Sequence, residues 1–399
     1  MQFVARRFDT LAPVRIEIAQ GRIVLAAAAG PDGVGLTDSA PPDVARGLPI
    51  VAPGFIDVQV NGYRGQEFSS PQLTPQRVAA IVREHWAFGV SSLCPTLTTQ
   101  SFDCLAHGMR TIDAACREYP EIGRSVAGIH LEGPYFDSED GPRGAHPLAH
   151  CRRPCWDEFE RLQEAAGGRI RILTMSPHFD DAPEFIARVA ATGVVVAIGH
   201  TGADGRRIRA AVDAGARLST HLGNGAHRML RRHPNYLWDQ LADDRLLASL
   251  IVDGHHLPGE VVKTMVRAKT PERCLLVSDV SGLAGLPPGR HASSGGDVEI
   301  LADGRIVIAG QEQLLAGAAL PIGVGVANVM RFAGVNLETA VHMASTHPAR
   351  LLGRKVGSLR PGDAADLVLF DLTLAPDGGT RLDVRATIAA GEIVFGQVL

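Results

Sequence analysis

The sequence predicts an α/β fold, a (β/α)8 TIM barrel joined to a small β-sandwich domain made by both chain ends. Three observations predict it. Eight short apolar runs alternate with helix-like stretches through the middle of the chain, the pattern of a parallel barrel. Several of those runs stop on a carboxylate or a histidine, at Glu132, His200, His221 and Asp279. The two ends hold instead short alternating runs broken by turns, and neither is long enough to bury a core alone.

Taken in order, Val14–Ile18 and Arg22–Leu25 alternate polar and apolar residues on either side of Gly21, which reads as a hairpin. A Gly/Pro/Asp-rich loop from Gly30 to Pro42 follows. The C-terminal runs Asp366–Asp371 and Thr387–Phe395 are of the same kind, so residues 1–53 and 355–399 pair into one β domain. Residues 54–354 are left for the barrel. Its strands are read as Gly54–Val60, Val90–Pro95, Val126–Glu132, Arg169–Met175, Val194–His200, Ala216–His221, Leu247–Val252 and Cys274–Asp279. They are apolar almost throughout, because a parallel strand is covered on both faces. Helices are read over Pro75–Phe88 (with Thr74 as N-cap), Phe102–Tyr119, Trp156–Ala166, Ala182–Ala191, Asp204–Ala214 and Pro258–Ala268. Everything between the ends reads as this alternation.

Composition narrows the functional classes. A chain of 399 residues is long enough for one large barrel. Net charge is −4 and aromatics make up 5%, which argues against a nucleic-acid surface, since neither a basic stripe nor stacking platforms are present. No run of eighteen apolar residues and no secretory leader is seen, so a cytoplasmic protein without membrane attachment is expected. The cysteines are scattered. Only Cys151 and Cys155 lie close, with no second pair to complete a zinc knuckle, and reduced thiols are expected.

In a barrel the carboxyl ends of all strands face one mouth, so residues distant in sequence converge there. Glu132, His200, His221 and Asp279 should meet, with Gln59 and Asn61 arriving from the end of the first strand. A single histidine after a buried strand is usually a core or loop residue. A His₂Glu set at equivalent strand ends instead suits a catalytic metal with an open position for water. Such a metal lowers the pKa of a bound water to about 7. Asp279 would take the proton of that water and return it to the leaving group.

The segments Pro53–Gly62, His130–Pro134, Gly199–Thr201, Thr220–Asn224, Asp253–His256 and Ser278–Asp279 resemble, in order along the chain, the amidohydrolase superfamily. Within it they are similar to the N-acetylglucosamine-6-phosphate deacetylase family. Most amidohydrolases carry His-x-His on the first strand. Gln59 and Asn61 stand there in this chain, as in the deacetylase branch with one tightly bound metal. The resemblance implies one divalent metal per subunit held by Glu132, His200 and His221, with Gln59 nearby. Zinc is the expected ion, and the same donors accept iron, manganese or cobalt. It further implies Asp279 as general acid and base, and His146 beside the acetamido carbonyl, where a donor to the developing oxyanion contributes a few kcal/mol, on the order of 3. His256 would bind substrate, while Asn224 and Gly225 would contact the sugar phosphate. His255, His227, His233, His342 and His347 are read as structural or surface residues.

The implied reaction is hydrolysis of the acetamido group of N-acetylglucosamine 6-phosphate, a small-molecule substrate, by a homodimer. Two segments depart from the family pattern. Family members carry a Gly-Arg-Glu-Pro-Gly-type loop whose arginine reaches the phosphate of a neighbouring subunit. Here the loop is His227–Trp238, and Arg231 or Arg232 stands as the candidate, with Arg232 taken forward. Leu315–Ala319 lacks the serines of the family's corresponding loop. An amidohydrolase of another N-acyl or cyclic amide, or a non-catalytic sugar-phosphate-binding relative, therefore stays open. Asp279 argues against the last, since binding alone needs no acid or base.

Overall fold

The computed structural model describes residues 1–29, 47–293, 296–355, 358–375 and 378–398. Its strands run β1 Gln2–Arg7, β2 Pro13–Ala19, β3 Arg22–Ala28, β4 Ile50–Pro53, β5 Phe55–Val60, β6 Gly62–Tyr63, β7 Gln66–Glu67 and β8 Val90–Thr98. They continue as β9 Ile129–Glu132, β10 Ile170–Met175, β11 Val195–Ile198, β12 Leu218–Ser219, β13 Leu247–Ile251 and β14 Cys274–Val277. The last are β15 Gly289–Ser293, β16 Gly296–Ile300, β17 Ile306–Ile308, β18 Gln311–Leu315, β19 Leu367–Leu374, β20 Thr380–Ala389 and β21 Glu392–Gly396. The loop expected over Gly30–Pro42 lies outside the described residues.

Both chain ends join one hydrogen-bonded sheet, in the order β21-β20-β19-β4-β1-β2-β3. The stitch is β4, which runs parallel to β1 and antiparallel to β19, with Val368 opposite Ala52. Gly21 takes φ +74° in the turn between β2 and β3, as the hairpin reading required.

The barrel is an eight-stranded parallel sheet, β14-β13-β12-β11-β10-β9-β8-β5. It closes where β5 meets β14. A single parallel bridge joins Val60 to Val280, Asp279 N donates to Gln59 O at 3.0 Å, and Asn61 N donates to Val280 O at 2.9 Å. Below them the buried Asp57 carboxylate accepts from Ser278 N at 3.2 Å and from Gln59 N at 3.3 Å, standing in for ladder bonds at the seam. Ile56, Val58, Cys94, Ile172, Ala197 and Leu218 pack together as an apolar plug inside the barrel. Each larger member contributes roughly 1.5–3 kcal/mol by leaving water. His130 is a buried polar residue beside it: Nδ1 lies 3.0 Å from Val58 O and Nε2 lies 2.7 Å from Thr174 Oγ1.

Helices cover the outside. Thr74 caps Pro75–Trp86 through Arg77 N at 3.3 Å, and Ala182–Ala191 buries Phe185, Ile186 and Val189 against the strands. Phe102–Glu118 ends where expected, and Pro120 starts a further short helix, Pro120–Ser125.

Three strands end two residues earlier than the apolar runs suggest. The ladders stop at Ile198, Ser219 and Val277, before His200, His221 and Asp279, because those residues take φ of +49°, +30° and +50°. Left-handed backbone cannot continue a strand. The larger difference is β15–β18, a four-stranded antiparallel sheet inserted after β14, where only helix and barrel strand were expected. Its signal was present in the sequence as Asp303-Gly304 between alternating runs, a hairpin pattern.

Candidate metal centre and active site

Glu132, His200 and His221 are brought together at the mouth. All three are buried, and their ligand atoms lie within 4.8 Å of one another. His200 Nε2 is 3.3 Å and His221 Nε2 3.0 Å from the same carboxylate oxygen, Glu132 Oε1, and the two Nε2 atoms are 3.1 Å apart. Gln59 Nε2 donates to Glu132 Oε1 at 3.0 Å, so the first-strand residue braces the carboxylate from the side. The left-handed backbone at His200 and His221 turns the imidazoles off the strand line and into the mouth. Such strain persists only where the surroundings over-determine it.

Whether these donors fit a cation can be tested on their hydrogen bonds. His200 Nδ1 lies 2.9 Å from Pro142 O, which assigns the ring hydrogen to Nδ1 and leaves a lone pair on Nε2. That lone pair faces the Nε2 atoms of His221 and of His146, both at 3.1 Å, and the Glu132 oxygen. Converging acceptors of this kind repel unless a cation sits among them, and a carbonyl behind a ligating imidazole is the usual support. The residues fit a divalent ion.

The electrostatics agree. Burial alone would push the Glu132 carboxyl up, yet the neighbouring imidazoles of His200 and His221 hold it well below the usual range. Asp279 behaves oppositely. Burial, then the negative charge of Glu132, raises it to about 7 against the opposing pull of His221 and Asn61. Its carboxylate is pinned by Asn61 Nδ2 at 2.8 Å, while its carbonyl accepts from Ala318 N at 3.3 Å. One carboxylate is thus kept charged while its neighbour is poised to exchange a proton near pH 7, a contrast that suits a metal ligand beside an acid and base.

His146 lies beside this cluster with its ring against Phe136 and His200, at 4.7 and 4.2 Å between centroids. Burial and then His200 push it well below its ordinary pKa, so it is a neutral imidazole, and its Nδ1 has no protein partner. Its loop is held by Arg143, whose Nη1 donates to His146 O at 2.8 Å. Asn224 and Gly225 line the same cavity, and Gly225 is a glycine of necessity. At φ +57°, a Cβ there would lie 2.7 Å from His200 Nδ1. Gly133, which precedes Pro134 at φ +81°, is equally constrained, since an added Cβ would overlap Thr99 Oγ1.

His256, rather than the exposed His255, is fixed in place. Its Nδ1 lies 2.7 Å from Asp253 Oδ2, while Asp253 Oδ1 accepts from the backbone N of both histidines. Both rings line the cavity. Arg231 and Arg232 do not: they are exposed and stand outside the cavity wall of their own chain. His227, expected as a structural or surface residue, bridges Glu139 at 2.9 Å and Tyr236 Oη at 3.0 Å and lines the cavity. Sequence reasoning also missed Asp297, Val298, Arg305 and Ile308, which the inserted sheet adds to the wall. All six cysteines are unpaired. Among the described residues no helix is long and apolar enough to cross a membrane.

The pattern of the Amidohydrolase family matches residues 50–394. The chain is 35% identical over 357 residues to the N-acetylglucosamine-6-phosphate deacetylase of Bos taurus, covering 87% of this chain and 83% of that one. It is 32% identical over 331 residues to the N-acetylgalactosamine-6-phosphate deacetylase of Escherichia coli O157:H7, covering 82% and 85%. A mutant N-acetyl-D-glucosamine-6-phosphate deacetylase of Mycobacterium smegmatis, solved in complex with N-acetyl-D-glucosamine-6-phosphate, superposes with a TM-score of 0.84. It is 29% identical, with 98% of this chain and 99% of that one covered. The chain belongs to the metal-dependent amidohydrolase family, in its N-acetylglucosamine-6-phosphate deacetylase branch.

Proposed function

We propose that the chain removes the acetyl group of N-acetylglucosamine 6-phosphate, giving glucosamine 6-phosphate and acetate. The observation that carries this reading is the pairing at one cavity floor of the Glu132, His200 and His221 donors with the Asp279 carboxylate, pinned by Asn61. Zinc, bound by the three donors, would supply Lewis acidity and lower the pKa of a water to about 7. Asp279 accepts a proton from the attacking water at its carboxylate and then delivers it to the amide nitrogen as the C–N bond breaks. His146, held neutral, donates an N–H to the carbonyl oxygen as that oxygen gains charge. Gln59 keeps Glu132 oriented toward the metal. Asn224, Gly225 and His256 seat the sugar. A homodimer and a cytoplasmic setting belong to the same proposal. Met229 and Trp238, 90% and 51% exposed beside the basic loop, offer an apolar surface for a second copy, from which Arg232 would reach the substrate.

The likeness to the Escherichia coli O157:H7 enzyme supports a second reading, the C4 epimer N-acetylgalactosamine 6-phosphate. The test is acetate release by metal-assayed protein from both phosphorylated epimers and from unphosphorylated N-acetylglucosamine. Preference for the phosphorylated glucosamine derivative is expected. Release from none of the three, with one equivalent of metal bound, would move the substrate elsewhere.

A further inference from the structure

The cavity above the metal donors is about 630 Å³, and its wall carries the carboxyl groups of Glu67, Glu132, Asp279 and Asp297. A phosphorylated sugar entering it carries up to two further charges. Asn224 and Gly225 offer only dipoles to that group, and the arginines of the His227–Trp238 loop do not line the wall of their own chain. Among the described lining residues, Arg305 is the one arginine or lysine.

Arg305 stands at the end of the turn between β16 and β17, where Leu301 N donates to Arg305 O at 2.8 Å. Its backbone N and its Nε both donate to Asp303, at 3.1 and 2.7 Å. The stem is therefore fixed, and both Nη groups remain without a protein partner among the described residues. The hairpin that carries it is anchored, since Val298, Ile300 and Ile306 bury with Leu283 in an apolar cluster of their own. A guanidinium with two free Nη groups matches two phosphate oxygens, which a lysine cannot do in the same plane.

We propose that Arg305 binds the phosphate of the substrate and sets the preference for phosphorylated over unphosphorylated amino sugar, an inference that rests on the substrate reading above. The inserted sheet is then a specificity element contributed by the same chain.

The experiment compares kcat/KM for N-acetylglucosamine 6-phosphate with kcat/KM for N-acetylglucosamine, in the parent and in Arg305→Ala, Arg305→Lys and Arg232→Ala. Metal content and melting temperature are checked for each. Arg305→Ala should lower the ratio at least tenfold, mainly through KM of the phosphorylated sugar, and Arg305→Lys should recover part of it. Inorganic phosphate should inhibit the parent competitively and Arg305→Ala at least tenfold less well. An unchanged ratio in Arg305→Ala overturns the proposal, as does a selective loss in Arg232→Ala alone. A parent that releases no acetate from the phosphorylated sugar overturns the substrate reading together with this one, whereas an active parent with an indifferent Arg305→Ala overturns this one only.

Discussion

The cavity has two halves built on different principles. The half proposed to do the chemistry is carried on strand ends: Glu132 closes β9, His200 and His221 follow β11 and β12 by two residues, and Asp279 follows β14 by two. Its polar groups are braced by Gln59, Asn61 and the Pro142 carbonyl, and most of its atoms are buried. The half proposed to choose the substrate is carried on connections: the His227–Trp238 loop, the Asp253–His256 turn and the inserted sheet. There the side chains are more exposed, and charged pairs such as Arg305 with Asp303 face solvent in part. Chemistry sits on the scaffold and selection on loops, so one barrel can keep a reaction while its substrate drifts.

The sharpest way to break this division is at Asp279. Asp279→Asn keeps the shape and the Asn61 contact but cannot shuttle a proton. Turnover should fall about a hundred- to ten-thousandfold, with metal content and KM little changed. A variant that kept full turnover would place the acid and base elsewhere and move part of the chemistry off the strand ends.

A second test asks how rigid the strand half is at its seam. Asp57 is fully buried at the closure of β5 on β14. Burial raises its pKa to about 6, against the hydrogen bonds from Ser278 and Gln59. Between about pH 4 and pH 6 the folded chain keeps a proton that the unfolded chain has released. Stability from this group is therefore complete below about pH 4 and falls as pH rises to about 6. The window spans about two pH units at about 1.4 kcal/mol each, so the loss is about 3 kcal/mol. Asp57→Asn retains an oxygen to accept both backbone N–H groups and cannot titrate. Urea unfolding at pH 4 and pH 6.5 should show the parent losing about 3 kcal/mol more than the variant. Equal losses would mean an ordinary carboxylate at the seam.

The same contrast explains what could be read in the sequence. Strand ends are legible because a fully covered parallel strand writes itself as an apolar run, and the residue that breaks the run is the one facing the mouth. Glu132, His200, His221 and Asp279 were found this way, and all eight barrel strands with them. The runs overstated strand length at His200, His221 and Asp279, since the left-handed turn of a ligand residue leaves no mark in hydrophobicity. The inserted sheet escaped because its strands are short and polar on one face, and their hairpin signal at Asp303-Gly304 lies outside the barrel rhythm. Arg232 comes from a loop that departs from the family pattern and so gives no residue-by-residue match, and in three dimensions it stands outside its own chain's cavity.

Gly225 is where the two halves touch, and it gives the smallest expected effect. It belongs to the loop half, yet its missing side chain makes room for the His200 ring. Gly225→Ala must hold a left-handed backbone, at a cost of about 1–2 kcal/mol, and must also push the imidazole away from the Pro142 carbonyl that fixes its tautomer. Loss of such support typically weakens metal binding about ten- to a hundredfold. Gly144, whose added Cβ would meet His200 Cε1 at a looser 3.2 Å, should tolerate alanine better. Chelator competition on the two variants measures the difference directly. If Gly225→Ala held its metal as tightly as Gly144→Ala, the loop half would not support the metal ligands, and the two halves would be independent where they meet.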